Sequence, residues 1–181
     1  MTRPEDAMFV EDCGADAIGV VMFSNSPRDV SPIRAKEIFS SVGPFLTTVV
    51  VTHSQSTTDL HTILKVAPDA IQVSHGFAQV PGMRMIRVLT PGSPLREDCN
   101  AVVIDGSQGK GILFDQEYAR KVVECSQVPV ILAGGLTSQN VHKAIEKIRP
   151  YAVDVSTGVE SAPGVKAREK IAAFVSAVRR Q

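Results

Sequence analysis

Short β-branched runs recur along the chain, and stretches with helical spacing lie between them. Strands are predicted at residues 17–23, 46–52, 70–74, 85–88, 101–105, 129–133 and 152–156. Val49-Val50-Val51 and Val102-Val103-Ile104 are continuously apolar, not alternating. Such runs are buried on both faces, as in a parallel sheet covered by helices. Ser31-Pro32 reads as an N-cap followed by proline in the first turn, with Ala35, Ile38, Phe39 and Val42 on one face. Asp115 is placed to cap a helix that buries Tyr118, Ala119, Val122 and Val123. After Thr137, the stripe Val141, Ala144, Ile145 and Ile148 stops at Arg149-Pro150. The last helix is predicted from about Lys166, facing inward with Ile171, Phe174, Val175 and Val178. The stretches after Ser74 and Val88 are short and rich in Gly and Pro, so helices there should be degenerate.

Seven strands with crossover helices predict an α/β fold in one domain, residues 1–181. An open doubly wound sheet and a (β/α)8 barrel both explain the alternation. No GxGxxG follows the first strand, whereas a barrel needs eight strands. Thr2-Arg3-Pro4-Glu5 has the form of a capping box, so a helix is expected to start there, where a barrel would first have a strand. Either the fold is not a closed barrel, or its first strand is absent from this sequence.

Composition narrows the function. The 181 residues carry 19 Lys+Arg against 19 Asp+Glu, which excludes a strongly basic nucleic-acid footprint. With 7 Phe, 2 Tyr and no Trp, the core must be aliphatic and base-stacking platforms are not expected. Cys13, Cys99 and Cys125 form no CxxC pair and no metal-ligand spacing, as expected of free thiols in a reducing compartment. No run is long enough for a membrane span, and the N-terminal residues lack a signal-like apolar stretch, so the cytoplasm is the expected location.

In a barrel, chemistry sits at the carboxyl ends of the strands. Two glycine-bearing turns fall there, Ala133-Gly134-Gly135-Leu136-Thr137 and Ser156-Thr157-Gly158-Val159-Glu160. One such turn would more often serve only a tight bend; a pair on the last two strands fits a phosphate site. Asp105 ends an apolar strand and precedes Gly106-Ser107-Gln108-Gly109-Lys110-Gly111. It is equally read as a general acid or base under a lid and as a turn cap. Arg28 follows the first strand and could clamp a carboxylate, although a lone loop arginine is more often simply solvated. His53, His61, His75 and His142 show no ligand spacing, and only His75 is placed to reach a site. Cys13 reads as a buried thiol on the first helix, and Cys99 and Cys125 belong to the opposite rim.

Several motifs together resemble phosphoribosylanthranilate isomerase. They are Ser26-Pro27-Arg28 with Val30-Ser31-Pro32, Ile131-Leu132-Ala133-Gly134-Gly135-Leu136, Val153-Asp154-Val155-Ser156-Thr157-Gly158-Val159-Glu160, and Pro163-Gly164-Val165-Lys166. The resemblance is colinear from Thr2 to the C-terminus. It implies a (β/α)8 TIM barrel of the ribulose-phosphate-binding type and an Amadori rearrangement of a small phosphorylated substrate, with no cofactor and no metal. It implies Asp105 as the general acid that opens the furanose ring and Arg28 as the holder of the anthranilate carboxylate. Gly134, Gly135, Ser156, Thr157 and Gly158 become the phosphate loops, with Asp154 supporting the site. The family's Gln-Leu-His-Gly segment reads Gln72-Val73-Ser74-His75-Gly76, one residue longer. Gln72 and His75 are therefore implied as substrate-binding, with Ser74 the other candidate for the histidine's place. The lid that usually reads Gly-Gly-Thr-Gly-Lys is Ser107-Gln108-Gly109-Lys110-Gly111 here.

The family opens with a strand ending in Lys-Ile-Cys-Gly, whose cysteine is the general base. This sequence begins after that point, so the resemblance implies a seven-stranded barrel lacking its first strand and an isomerase impaired as it stands. The alternative is a non-catalytic phosphate-sugar-binding remnant of the same fold. The exposed sheet edges would lower stability or pair with a second copy. No nucleic-acid or membrane partner is expected, and the protein should be a monomer or homodimer.

Overall fold

The computed structural model describes residues 1–74, 77–95, 98–105 and 115–179. In chain order the elements are α1 (Pro4–Asp12), β1 (Ala17–Val21), α2 (Pro32–Ser40), β2 (Thr47–Thr52), α3 (Thr57–Val66), β3 (Ala70–Val73), β4 (Arg84–Leu89) and β5 (Ala101–Asp105). Then follow α4 (Gln116–Cys125), β6 (Val130–Ala133), α5 (Val141–Ile148), β7 (Ala152–Val153), a 3₁₀ turn (Thr157–Val159), β8 (Glu160–Ala162), β9 (Val165–Lys166) and α6 (Arg168–Arg179). Strands β1 to β7 form one sheet in sequential order, every pair parallel. Strands β8 and β9 make a separate antiparallel hairpin.

The continuous apolar runs have the predicted consequence. Register aligns Val20, Val50, Ile71 and Met85 in one row across four strands, and all four are 0% exposed beneath the helices. The opposite face carries Val21, Val51, Gln72 and Ile86 in one row and Val88, Val103, Ile131 and Ala152 in the next. Most of these are only half-buried, so this face lines an open trough. The sheet is rolled: α1 precedes its first strand and α6 follows its last, yet the two helices touch. The Arg168 guanidinium lies 5.0 Å over the Phe9 ring, and Arg179 Nη2 bonds Asp16 Oδ1 at 3.0 Å. The result is a helix-wrapped incomplete barrel with β1 and β7 as its edge strands. The Met1 amine donates to the Gly19 carbonyl on the β1 side of the gap. On the other side, Thr2 Oγ1 donates to the Gly164 carbonyl at 2.7 Å.

Two predicted caps form: Ser31 Oγ accepts from the Arg34 amide at 3.2 Å, and Asp115 Oδ1 accepts from the Glu117 and Tyr118 amides at 3.0 and 3.1 Å. The predicted capping box does not. Arg3 is the N-cap of α1 and makes no side-chain cap bond. Pro4 in the first turn presets the helical φ, and the Thr2 hydroxyl is spent on Gly164 instead. The last helix starts at Arg168, not near Lys166, because Val165 and Lys166 pair with β8. The seventh strand is also shorter than predicted, since the chain leaves the ladder after Val153 and turns into the 3₁₀ segment.

Ser74 and residues 77–83, 90–95 and 98–100, the described parts of the connections after β3 and β4, carry no helix, as their composition predicts. Arg87 occupies the space. It sits on the helix side of β4, 4% exposed, and its Nη2 donates to the Phe77 carbonyl at 2.7 Å. It also bonds the Asp98 carbonyl from Nε at 3.4 Å and pairs with the Asp98 carboxylate at 3.2 Å. Asp98 is half exposed, so water screens the ion pair and the bond to Phe77 matters more. Replacing Arg87 by Ala should cost about 3 kcal/mol, seen as a melting temperature lower by roughly 6–12 °C. An unchanged melting curve would show that the two connections hold without it.

Candidate active site

Asp105 is the last residue of β5, in register with Ala133 of β6, so its side chain shares the trough face with Ala133. The two glycine turns follow β6 and β7 at the same rim. One small pocket is lined by Asp105, Ala133, Gly134, Gly135, Leu136, Asp154, Val155, Ser156, Thr157 and Gly158. The general-acid candidate, the supporting aspartate and both glycine turns are thereby brought to one place.

The turns are shaped for backbone donors. Gly134 and Gly135 have φ of +93° and +64°, a region costly for residues with a Cβ. Asn140 fastens this turn, donating from Nδ2 to the Gly135 carbonyl at 3.0 Å and accepting the Thr137 amide at 2.8 Å. Gly158 answers a different need. A Cβ there would stand 2.0 Å from the Leu136 carbonyl oxygen, so only glycine lets the two turns approach so closely. The 3₁₀ turn beginning at Thr157 lies at the same pocket, whose lining includes Ser156, Thr157 and Gly158.

The floor carries charge. Asp154 is exposed at the pocket, yet the protein packed around it disfavours the charged form and raises its carboxyl above the usual range. The Lys166 ammonium opposes that push and the Asp105 carboxylate adds to it. Two carboxyls thus share one pocket, and one is biased toward holding a proton. Lys166, 7% exposed, donates to the Ser156 carbonyl at 3.1 Å and to Glu160 Oε1 at 3.2 Å. Burial lowers its pKa against the attraction of Glu160. For Glu160, burial alone would raise the carboxyl, but the hydrogen bond from Arg28 and the charge of Lys166 outweigh it and hold the group below its ordinary value.

Arg28 comes from the loop after β1, which is fixed by its own short polar residues. The Ser24 amide donates to Asp29 Oδ1 at 2.9 Å, and the Arg28 amide donates to Ser26 Oγ at 3.2 Å. The guanidinium is neither solvated nor pointed freely into the trough. Its Nε and Nη2 bond the two Glu160 oxygens at 2.9 and 2.6 Å. That pairing uses one edge of the fork; a guanidinium has a second edge, on the Nη1 side, for another carboxylate.

Gln72 lies on the trough face of β3 beside Val51 and Ile86. At the neighbouring strand ends, His53 Nδ1 and Ser74 Oγ are 2.7 Å apart, a contact the spacing of histidines did not suggest. His75 and residues 106–111, the predicted lid, lie outside the described residues. Cys13 is the C-cap of α1, Cys99 lies before β5 and Cys125 ends α4. All three are on the rim opposite Asp105. Among the described residues, no group of three or more His, Cys, Asp or Glu could hold a common metal ion, and no helix is long and apolar enough to cross a membrane. Sequence reading assigned no role to Glu160, Lys166 or Asn140. For the first two a signal was present, since they flank Pro163-Gly164, a turn dipeptide that brings them together across a hairpin.

A family profile described as N-(5'phosphoribosyl)anthranilate (PRA) isomerase matches residues 1–177. The chain is 56% identical over 182 residues to an N-(5'-phosphoribosyl)anthranilate isomerase of Methanoregula boonei, covering 99% of this chain and 93% of that one. It is 40% identical over 198 residues to the enzyme of the same name from Pseudomonas syringae pv. tomato, covering 98% and 94%. Among solved structures, the phosphoribosyl anthranilate isomerase of Thermus thermophilus superposes with a TM-score of 0.86 at 30% identity, covering 98% of this chain and 94% of that one. A phosphoribosyl anthranilate isomerase in complex with reduced 1-(o-carboxyphenylamino)-1-deoxyribulose 5-phosphate gives 0.82 at 27% identity, covering 100% and 96%.

Proposed function

The chain belongs to the N-(5'-phosphoribosyl)anthranilate isomerase family, and from that premise we propose the division of labour among its residues. The substrate is N-(5-phosphoribosyl)anthranilate, an aminoaldose, and the product is 1-(o-carboxyphenylamino)-1-deoxyribulose 5-phosphate, an aminoketose of tryptophan biosynthesis. The phosphate is held by backbone amides of Gly134-Gly135 and of Ser156, Thr157 and Gly158. Asp105 gives its proton to the furanose ring oxygen. The C1–O bond breaks with its electron pair on that oxygen, and the aryl nitrogen lone pair forms the C1=N bond of an iminium. Water takes the C2 proton; the C–H electron pair becomes the C1=C2 bond, the C1=N pair returns to nitrogen, and the resulting enolamine tautomerises to the ketone. Arg28 takes the anthranilate carboxylate on the edge Glu160 leaves open, Gln72 borders the sugar from the trough, and Asp154 supports a sugar hydroxyl.

None of the three cysteines serves as the base, because each is on the far rim. An eighth strand seated in the gap between β1 and β7 would satisfy both sheet edges, close the barrel and bring a base to the pocket mouth.

The observation that carries this reading is the convergence of Asp105 with both glycine turns in one pocket. Its test is incubation with N-(5-phosphoribosyl)anthranilate, following the aminoketose formed, alongside calorimetric binding of the reduced product analogue. Saturable but slow turnover is expected, because the pocket supplies the acid and the anion-holding groups while water has to serve as the base. Arg28→Ala should raise KM by about 10- to 100-fold, since a bidentate carboxylate contact is lost. Analogue binding with turnover at background would make the protein a phosphate-sugar binder, and no binding at all would overturn the site.

A further inference from the structure

Arg28 and Ser156 stand on opposite sides of the gap in the barrel, after β1 and after β7. The two edge strands are not neighbours in the sheet, so no ladder sets the distance between these loops. What joins them is the β8–β9 hairpin. Its turn residue Gly164, at φ +81°, lies so close to the first loop that a Cβ would be 2.9 Å from the Pro27 carbonyl oxygen. Its two ends supply Glu160 and Lys166. The Glu160 carboxylate, 3% exposed, receives Arg28 on both oxygens, and Lys166 links the same carboxylate to the Ser156 carbonyl. Lys170 holds the Glu160 carbonyl at 2.7 Å.

Taking three charges out of water is costly, and buried ion groups are poor sources of net stability. What this one supplies is geometry. Resting on the reading of the site given above, we propose that Glu160 and Lys166 are positioning residues. They lock the carboxylate-holding Arg28 to the phosphate turn, and so fix the spacing between the two anionic ends of the substrate. Neither touches the reacting atoms; Glu160 acts through Arg28 and Lys166 through Ser156.

The test compares two ligands, the reduced product analogue, which has both anionic ends, and inorganic phosphate, which has one. Glu160→Gln should weaken the analogue by about 10- to 100-fold while phosphate affinity moves by less than about twofold, and KM for substrate should rise more than kcat falls. Adding Glu160→Gln to Arg28→Ala should produce little further loss, because both changes disable one device. Lys166→Met should weaken both ligands, with Lys166→Arg restoring much of the phosphate affinity. If Glu160→Gln does not fold, Glu160→Asp carries the same comparison, keeping the charge but withdrawing it by one methylene. Equal losses for the two ligands in Glu160→Gln, or additive effects of the Arg28 and Glu160 changes, would overturn the proposal and leave the cluster a structural one. A wild-type protein that binds neither ligand would instead bring down the reading of the site beneath it.

Discussion

Asp105→Asn is expected to lower kcat by about 10²- to 10⁴-fold while phosphate binding survives. Asparagine has nearly the same shape, so the β5 end and its register with Ala133 should persist. What disappears is the proton that ring opening requires, because an amide cannot deliver one to the furanose oxygen. Phosphate should bind about as well as before, because the substitution leaves both glycine turns as they are. A second readout is independent of turnover. Crowding is the main cause of the raised Asp154 carboxyl, and the charge of Asp105 contributes to it. In the variant, Asp154 should titrate at lower pH than in the wild type, which NMR of the labelled carboxyl would follow. Equal loss of turnover and phosphate binding would reduce Asp105 to a structural residue.

Gly158→Ala should be nearly as damaging by another route. The new Cβ would sit 2.0 Å from the Leu136 carbonyl oxygen and 3.1 Å from both its carbonyl carbon and Val155 Cγ2. Leu136 is itself in the core, 2% exposed, so the obstacle is backbone that cannot swing aside. The two glycine turns must separate. Overpacking of this kind costs about 1–3 kcal/mol of stability, and loss of the amide geometry should weaken phosphate by about 100-fold. Gly43→Ala is the natural control. Its Cβ would meet chiefly the Glu11 carboxylate, the movable end of a side chain, and phosphate affinity should not change. Should Gly158→Ala bind phosphate like the wild type, the 3₁₀ turn is not part of the anion site.

The sequence was most legible where one residue type answers to one local force. β-Branched runs marked all seven strands of the sheet, and Ser31 and Asp115 marked helix starts that their hydroxyl and carboxylate do cap. Thr2 shows where that reasoning stops. Its spacing to Glu5 fits a capping box, but a tertiary acceptor, the Gly164 carbonyl, takes the hydroxyl. Lys166 failed for the same reason. Helical spacing downstream drew it into the last helix, whereas pairing of β9 with β8 turns it into the protein interior. The site was legible as a set of strand ends, because barrel topology carries Asp105 and both glycine turns to one rim. The partner of Arg28 was not, since 132 positions separate it from Glu160 and only the curled sheet brings them together.

We propose, above all, that this rim grips a phosphorylated ribose with Asp105 at its ring. A crystal structure with the reduced product analogue tests it most directly. Phosphate oxygens should lie at about 3 Å from amides of both the Gly134-Gly135 and Thr157-Gly158 turns, with the Asp105 carboxyl facing the sugar oxygen derived from the ring. An analogue whose phosphate sits at the opposite rim, or whose sugar lies out of reach of Asp105, would contradict it.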